Sequence, residues 1–246
     1  MGIVGVIIGV IALMIVFGVI SGKVASKRRA AMLAFAQQFG LEFFPDRDSS
    51  IASRFCHFNA FDQGFNRYGY NTMRGHVEAP NGKFDLTAGD FHYETESKDS
   101  KGNRQRQSHY FSYAIFQPPF VMRPKMTMRR ETFVDRVGGA IGFDDIDFEN
   151  DAFSRKFHIK SDDRKFCYDL LDPRMIEWIM STEPPNLVIA GGQLLVTWKG
   201  TWKVEEFSSN IEWLRQFVSK MPTHLVDRLD DATPPNLPPP PIPSAQ

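Results

Sequence analysis

The first 22 residues, MGIVGVIIGVIALMIVFGVISG, carry no charged side chain. At about 1.5 Å of rise per residue, roughly 20 apolar residues cross a hydrocarbon core of about 30 Å. A helix satisfies its own backbone hydrogen bonds in lipid, so residues 1–22 are predicted to form a transmembrane helix. A cleaved signal peptide would place a basic residue before the run and a small-x-small site after it, and neither is present. Lys23, Lys27, Arg28 and Arg29 follow directly, with no acid among them. Excess Lys and Arg stays on the cytoplasmic side. The expectation is a single-pass protein of the cell membrane, N-terminus outside and the rest cytoplasmic. The basic cluster also suits anionic lipid heads, although its topogenic role accounts for it. Gly5 to Gly9 and Gly18 to Gly22 have the spacing that lets two helices approach closely. A homodimer through this helix is left open, with tolerated glycine the favoured reading.

All 29 basic and all 29 acidic residues lie beyond Gly22. With the four basic residues at 23–29 set aside, acids outnumber bases, which argues against a nucleic-acid surface. The 22 phenylalanines supply bulk for a packed core. Cys56 and Cys167 have neither metal-ligand nor redox spacing, and reduced thiols are expected, with one disulfide not excluded. The sequence therefore divides into a membrane helix (1–22), a soluble domain (23–231) and a Pro-rich tail (232–246). Proline removes backbone donors and fixes φ, so Pro234 to Pro243 reads as an extended, disordered segment. Pro235-Asn-Leu-Pro238 fits a P-x-x-P ligand pattern, although an unrecognised tail is the favoured reading.

Within the domain, residues 26–39 read as a helix with Met32, Phe35, Ala36 and Phe39 on one face and Gly40 as its stop. Asn81-Gly82 predicts a type I′ hairpin between two extended runs. SKDSKGNRQRQ reads as a polar loop, and HYFSYAIFQ as a strand stopped by Pro118-Pro119. NLVIAGGQLLVTW is a second hairpin, turning at Gly191-Gly192. Ser161 is the expected cap of SDDRKFCYDLL, and Asp172-Pro173 starts a short helix. Apolar residues at 204, 207, 211, 214, 218 and 221 alternate steps of three and four, the stripe of a helix that Pro222 ends. Together these elements predict an α+β fold with a mainly antiparallel sheet and packed helices.

FCHFNAFDQGFNRYGYNTMRG, FDLTAGDFHYETE and DIDFENDAFSRKFHIKSDDRKFCYDLLDP, in that order, resemble a family of uncharacterised bacterial proteins. Members of that family carry an N-terminal membrane segment before a domain of unknown function. The matching features are Phe58, Gly64, Asn71 and Gly75, then Asp90 with Tyr93, then Asp145-Ile-Asp147-Phe-Glu149 and Phe153-Ser-Arg155 before Phe157. The resemblance implies bacterial origin and membrane attachment, and it carries over no catalytic residue.

Three clusters invite chemistry. Asp90, His92, Glu94 and Glu96 alternate with Phe91, Tyr93 and Thr95, which on a strand aligns four polar groups on one face. His with carboxylates can bind a divalent metal, but a solvated strand face shows the same pattern and is the favoured reading. Asp144, Asp145, Asp147, Glu149 and Asp151 suggest calcium. An EF-hand loop counted from Asp145 would need Gly and Glu where Asn150 and Lys156 stand, so an edge strand is expected instead. Gly138-Gly139-Ala-Ile-Gly142 lacks both the Rossmann and the P-loop spacing. Arg155 could grip an anion or pair with a carboxylate. No catalytic, cofactor-binding or metal-ligating residue is assigned.

The function these features support is a membrane-tethered interaction or binding module. Its partners are the lipid bilayer and a protein engaged by the domain or the Pro-rich tail, with no nucleic acid. The alternative is a membrane-anchored enzyme, for instance a hydrolase, whose site assembles only in three dimensions around His92, Asp90 or the Asp145 group.

Overall fold

The computed structural model describes residues 24–100, 102–130, 145–198 and 200–231. The predicted membrane helix at 1–22, the glycine loop at 138–142, Asp144 and the Pro-rich tail at 232–246 lie outside the described residues. Among the described residues, no helix is long and apolar enough to cross a membrane.

A helix at 24–38 (α1) opens the described chain. Its end is closed by Leu41 N–H donating to Ala36 O at 2.8 Å and by the Gly40 N–H donating to Gln37 O, which satisfies two carbonyls the helix would otherwise orphan. The chain continues through β1 (Glu42–Phe44), α2 (Ser50–Arg54), β2 (Phe65–Ala79), β3 (Gly82–Lys98), β4 (Arg104–Gln117) and β5 (Met126–Arg130). After the undescribed 131–144 segment come α3 (Asp151–Lys156), β6 (Phe157–Ser161), α4 (Arg164–Leu170), α5 (Pro173–Met180), β7 (Asn186–Ala190), β8 (Gln193–Thr197), α6 (Val204–Ser219) and α7 (Thr223–Asp231). Among the described residues the eight strands form one sheet in the order β1-β2-β3-β4-β8-β7-β5-β6, with every pairing antiparallel. The domain is therefore α+β with an antiparallel sheet.

Both faces of that sheet are covered. Phe84, Leu86 and Ala88 of β3 point into a large core with Met32, Phe35 and Ala36 of α1 and Phe207, Leu214 and Val218 of α6. Phe91 and Tyr93 point the other way, into a smaller core with Ile51 and Ala52 of α2 and with Phe55, Phe58 and Phe61. Phe61 sits at the centre of this second core, its ring meeting Phe91, Phe111 and Tyr113 edge-on with centroids 4.8–5.5 Å away. The middle of β3, from Leu86 to Tyr93, is therefore flanked on both faces, and its exposed residues, among them Lys83, Asp85 and Glu96, lie toward the two ends.

Several predicted elements hold. The Gly191-Gly192 turn joins β7 to β8 with both residues at positive φ, as a type I′ pair requires. The α6 stripe is buried at 207, 214 and 218, Asp172 caps α5 with Pro173 in the first turn, and β4 ends at Gln117 before the proline pair. Others need correction. Part of the predicted 97–107 loop is strand: β3 runs to Lys98 and β4 starts at Arg104 as a long ribbon, because cross-strand partners such as Glu96 and Arg106 carry the polar stretch in register. The cap of α4 is Asp163, whose carboxylate accepts from Phe166 N–H at 2.9 Å, while Ser161 ends β6 and donates to Lys125 O. Phe39 is exposed just past the end of α1, its ring tilted against that of Phe35 with centroids 4.5 Å apart. Residues 145–149 form no strand beyond a single bridge between Asp145 and Lys160, although Ile146 and Phe148 are buried as the alternation requires.

The β2–β3 hairpin exists, but its turn is not type I′. Ala79 pairs with Gly82, so Pro80 and Asn81 are the central residues, and Asn81 is not at positive φ. Proline's fixed φ excludes I′ there and suits the first central position of an ordinary turn. Asn81 Nδ2 donates to Val218 O of α6 at 2.6 Å, fastening the hairpin tip to a helix. Gly82 remains special, with φ +127 and Pro119 Cγ only 2.7 Å from where a Cβ would stand. Gly82→Val should lower stability by more than about 1 kcal/mol, a fall in melting midpoint of at least about 2–4 °C for a domain of this size. An unchanged midpoint would contradict this account of the turn.

Candidate functional site

The antiparallel register lays out two polar rows across β2, β3 and β4 on the face that α1 crosses. Tyr70, Asp90 and Ser112 are cross-strand neighbours, as are Tyr68, His92 and Tyr110. Asn71 stands at φ 49, where β2 loses its regular pairing between Tyr70 and Met73. This bulge turns the Asn71 amide toward Asp90.

Asp90 is wholly buried, and its carboxylate is fully engaged. Arg28 of α1 grips it side-on, Nη2 to Oδ1 at 2.6 Å and Nε to Oδ2 at 2.9 Å. Ser112 Oγ donates to Oδ1 at 2.6 Å and Asn71 Nδ2 to Oδ2 at 3.1 Å. The remaining Arg28 nitrogen, Nη1, donates to Trp202 O at 2.6 Å, and Trp202 N–H donates to Ser112 Oγ at 2.9 Å. Helix, three strands and the 200–203 segment thus meet on one carboxylate. Burial alone would lower the Arg28 pKa, but the hydrogen bonds and charge of Asp90 raise it. The guanidinium is a permanent cation.

This overturns the expectation of a solvated face at Asp90 and His92. Only Glu94 and Glu96, further along β3, reach water. His92 is also buried, its ring stacked on Tyr68 at 4.6 Å and against Tyr110 at 4.8 Å, with Nδ1 donating to Asn66 O at 3.1 Å. Asp90 and His92 share a face without forming an acid–base pair, and both Asp90 oxygens are already taken. The acidic group at Asp145 lies at the far edge of the sheet, where Asp145 pairs with His158 and Lys160. Asp145, Asp147 and Glu149 are exposed there. Arg155 forms no ion pair among the described residues. Cys56 is exposed and Cys167 buried, both as free thiols, and burial pushes the Cys167 thiol up to about 11.

Beside the clamp opens a cleft of about 480 Å³, lined by Arg29 of α1, Asp46 and Arg47 of the β1–α2 segment, and Tyr68, Tyr70 and Tyr110. That volume is in the range of small-ligand sites. Arg47 stacks its guanidinium on the Tyr68 ring at 4.5 Å, so Arg47, Tyr68, His92 and Tyr110 form a continuous ladder of planar groups. Burial raises the phenol pKa of Tyr68 and of Tyr70, with the charge of Asp90 adding to the effect at Tyr70. Both hydroxyls are therefore neutral donors at ordinary pH.

Sequence reasoning missed Arg28 and the tyrosines, and the signals were present. Arg28 stands four residues before Met32, on the same buried stripe as Phe35 and Ala36. In β3 apolar residues occupy both parities, Phe84, Leu86 and Ala88 on one and Phe91 and Tyr93 on the other. That is the mark of a strand covered on two faces.

No family model matches the chain, and no curated protein matches it. Among solved structures, the fold is shared with the mycobacterial trehalose monomycolate transport factor A, TtfA. The two superpose at a TM-score of 0.53 with 11% sequence identity, covering 80% of this chain and 96% of that one.

If Arg28 fastens α1 to the sheet, its removal leaves a buried, uncompensated carboxylate. Arg28→Ala should cost about 3–5 kcal/mol in denaturant unfolding, and the paired change Arg28→Met with Asp90→Leu distinctly less. Additive losses in the pair would show that the two side chains act independently.

Proposed function

We propose that this chain is a membrane-tethered binding module. Residues 1–22 would anchor it, α1 would carry the chain from the anchor onto the sheet, and the tyrosine–arginine cleft would be its recognition surface. The carrying observation is the Arg28–Asp90 clamp: Arg28, in the basic cluster that follows the apolar run, is built into the domain and Arg29 lines the cleft, so the cleft would open beside the place where the chain leaves the bilayer. The composition of the 1–22 run and the basic residues at 23–29 support the orientation with the domain in the cytoplasm. The resemblance to membrane-anchored bacterial proteins supports the same reading. The shared fold with a protein named as a trehalose monomycolate transport factor supports a binding role as well.

The reading has a direct topological consequence. Protease added to sealed spheroplasts should leave residues 24–231 uncut, and lysis should expose them. Digestion of the domain in sealed spheroplasts would reverse the orientation. Recovery of the full chain in the soluble fraction after lysis would remove the tether.

A further inference from the structure

We infer that the cleft between α1 and the β2–β4 face is a site for a phosphate-bearing anion, presented as the headgroup of an anionic phospholipid. The inference rests on the membrane-tethered reading for the source of the phosphate, and on the cleft alone for its chemistry.

Three observations converge. First, the cleft holds cations in excess. Arg28 is neutralised by Asp90, but Arg47 makes no ion pair among the described residues, and Arg29 has a long contact of 3.7 Å with Asp46 beside a 3.4 Å hydrogen bond from Nη2 to the uncharged Pro45 O. The Asp46 side chain is 90% exposed, a solvated carboxylate on the rim that leaves the cleft net positive. Second, the hydroxyls of Tyr68, Tyr70 and Tyr110 have no protein hydrogen-bond partner among the described residues, and all three line the same space. Neutral phenols are donors, so these hydroxyls and two guanidiniums offer five groups that can donate to phosphate oxygens, the geometry that planar guanidinium forks favour. Third, the arrangement is held in place. Tyr68 is fixed between Arg47 and His92, Tyr70 lies beside the Arg28–Asp90 clamp, and Arg29 follows Arg28 on a helix whose position that clamp sets. A donor set fixed before the ligand arrives loses little freedom on binding.

The same geometry selects among headgroups. Aromatic rings alone would also suit a quaternary ammonium, but guanidiniums at the mouth repel one. A zwitterionic choline lipid is therefore disfavoured against an anionic glycerol lipid. The position agrees: side chains on a helix lean toward its N-terminus, so Arg29 leans toward the N-terminal end of α1, the end that the apolar run precedes in sequence.

The test uses the full chain in neutral detergent and reads lipid retention by native mass spectrometry. The probes are dioctanoyl phosphatidylglycerol, dioctanoyl phosphatidylcholine and inorganic phosphate. Phosphatidylglycerol should bind at least about tenfold more tightly than phosphatidylcholine, and Arg29→Gln with Arg47→Gln should remove about tenfold or more of that affinity. Tyr110→Phe, which deletes one hydroxyl and keeps the ring, should weaken binding by a smaller factor, and Arg155→Gln should leave it unchanged. Equal affinity for the two lipids, or retention unaffected by the double arginine change, would overturn the site. Inorganic phosphate binding as tightly as the lipid would overturn the headgroup assignment and make free phosphate the ligand. Because retention in detergent does not depend on topology, this result separates from failure of the tether, which spheroplast proteolysis reads.

Discussion

One buried carboxylate organises this domain. Asp90 accepts four hydrogen bonds, two from Arg28 and one each from Ser112 and Asn71, and Arg28 in turn reaches Trp202 O. Burying a charge in an apolar interior costs several kcal/mol unless it is paired and fully hydrogen-bonded. Here the donors to the β3 carboxylate come from α1, β2 and β4, and Trp202 ties Arg28 and Ser112 together, so the cost is offset only when α1, β2, β3, β4 and the 200–203 segment are all in place. An ion pair of this kind adds little net stability over a well-packed apolar core. It makes alternative placements of α1 expensive, because each would strand a buried charge.

The cleft follows from that placement. With α1 fixed by Arg28, the next residue, Arg29, is carried to the rim of the Tyr68–His92–Tyr110 row, and Arg47 closes the row from the other side. The register of β2 on β3 and of β3 on β4 supplies the row, and the Asn71 bulge supplies an amide to the clamp behind it. Scaffold and candidate site are thus built from the same cross-strand pairs.

Much of the scaffold was legible in the sequence because its signals are local. Gly191-Gly192 suits only a turn with positive φ, the α6 stripe has helical period, and Asp172-Pro173 is a helix start. What was not legible depends on what covers a surface. The alternation of Asp90, His92, Glu94 and Glu96 fits a solvated strand as well as a buried polar row, and only the passage of α1 across the sheet decides between them. The basic neighbours of Arg28 give it the look of a topogenic residue, although its spacing from Met32 places it on the buried stripe. Asn81-Gly82 misled in another way: Pro80 moved the turn back by one residue, leaving Gly82 to pair with Ala79. The tyrosines of the cleft gave no motif, since they converge only through register.

The claim on which the rest depends is that α1 belongs to the domain and is not a loose stalk leading to it. Native-state hydrogen exchange on the full chain measures this directly, residue by residue. The account predicts that amides in the second half of the 24–38 helix are protected to nearly the same degree as those at the centre of β3, and that Arg28→Ala lowers protection in the helix more than in the strand. Helix amides exchanging orders of magnitude faster than β3 in the unaltered protein, with no further change on removing Arg28, would contradict it.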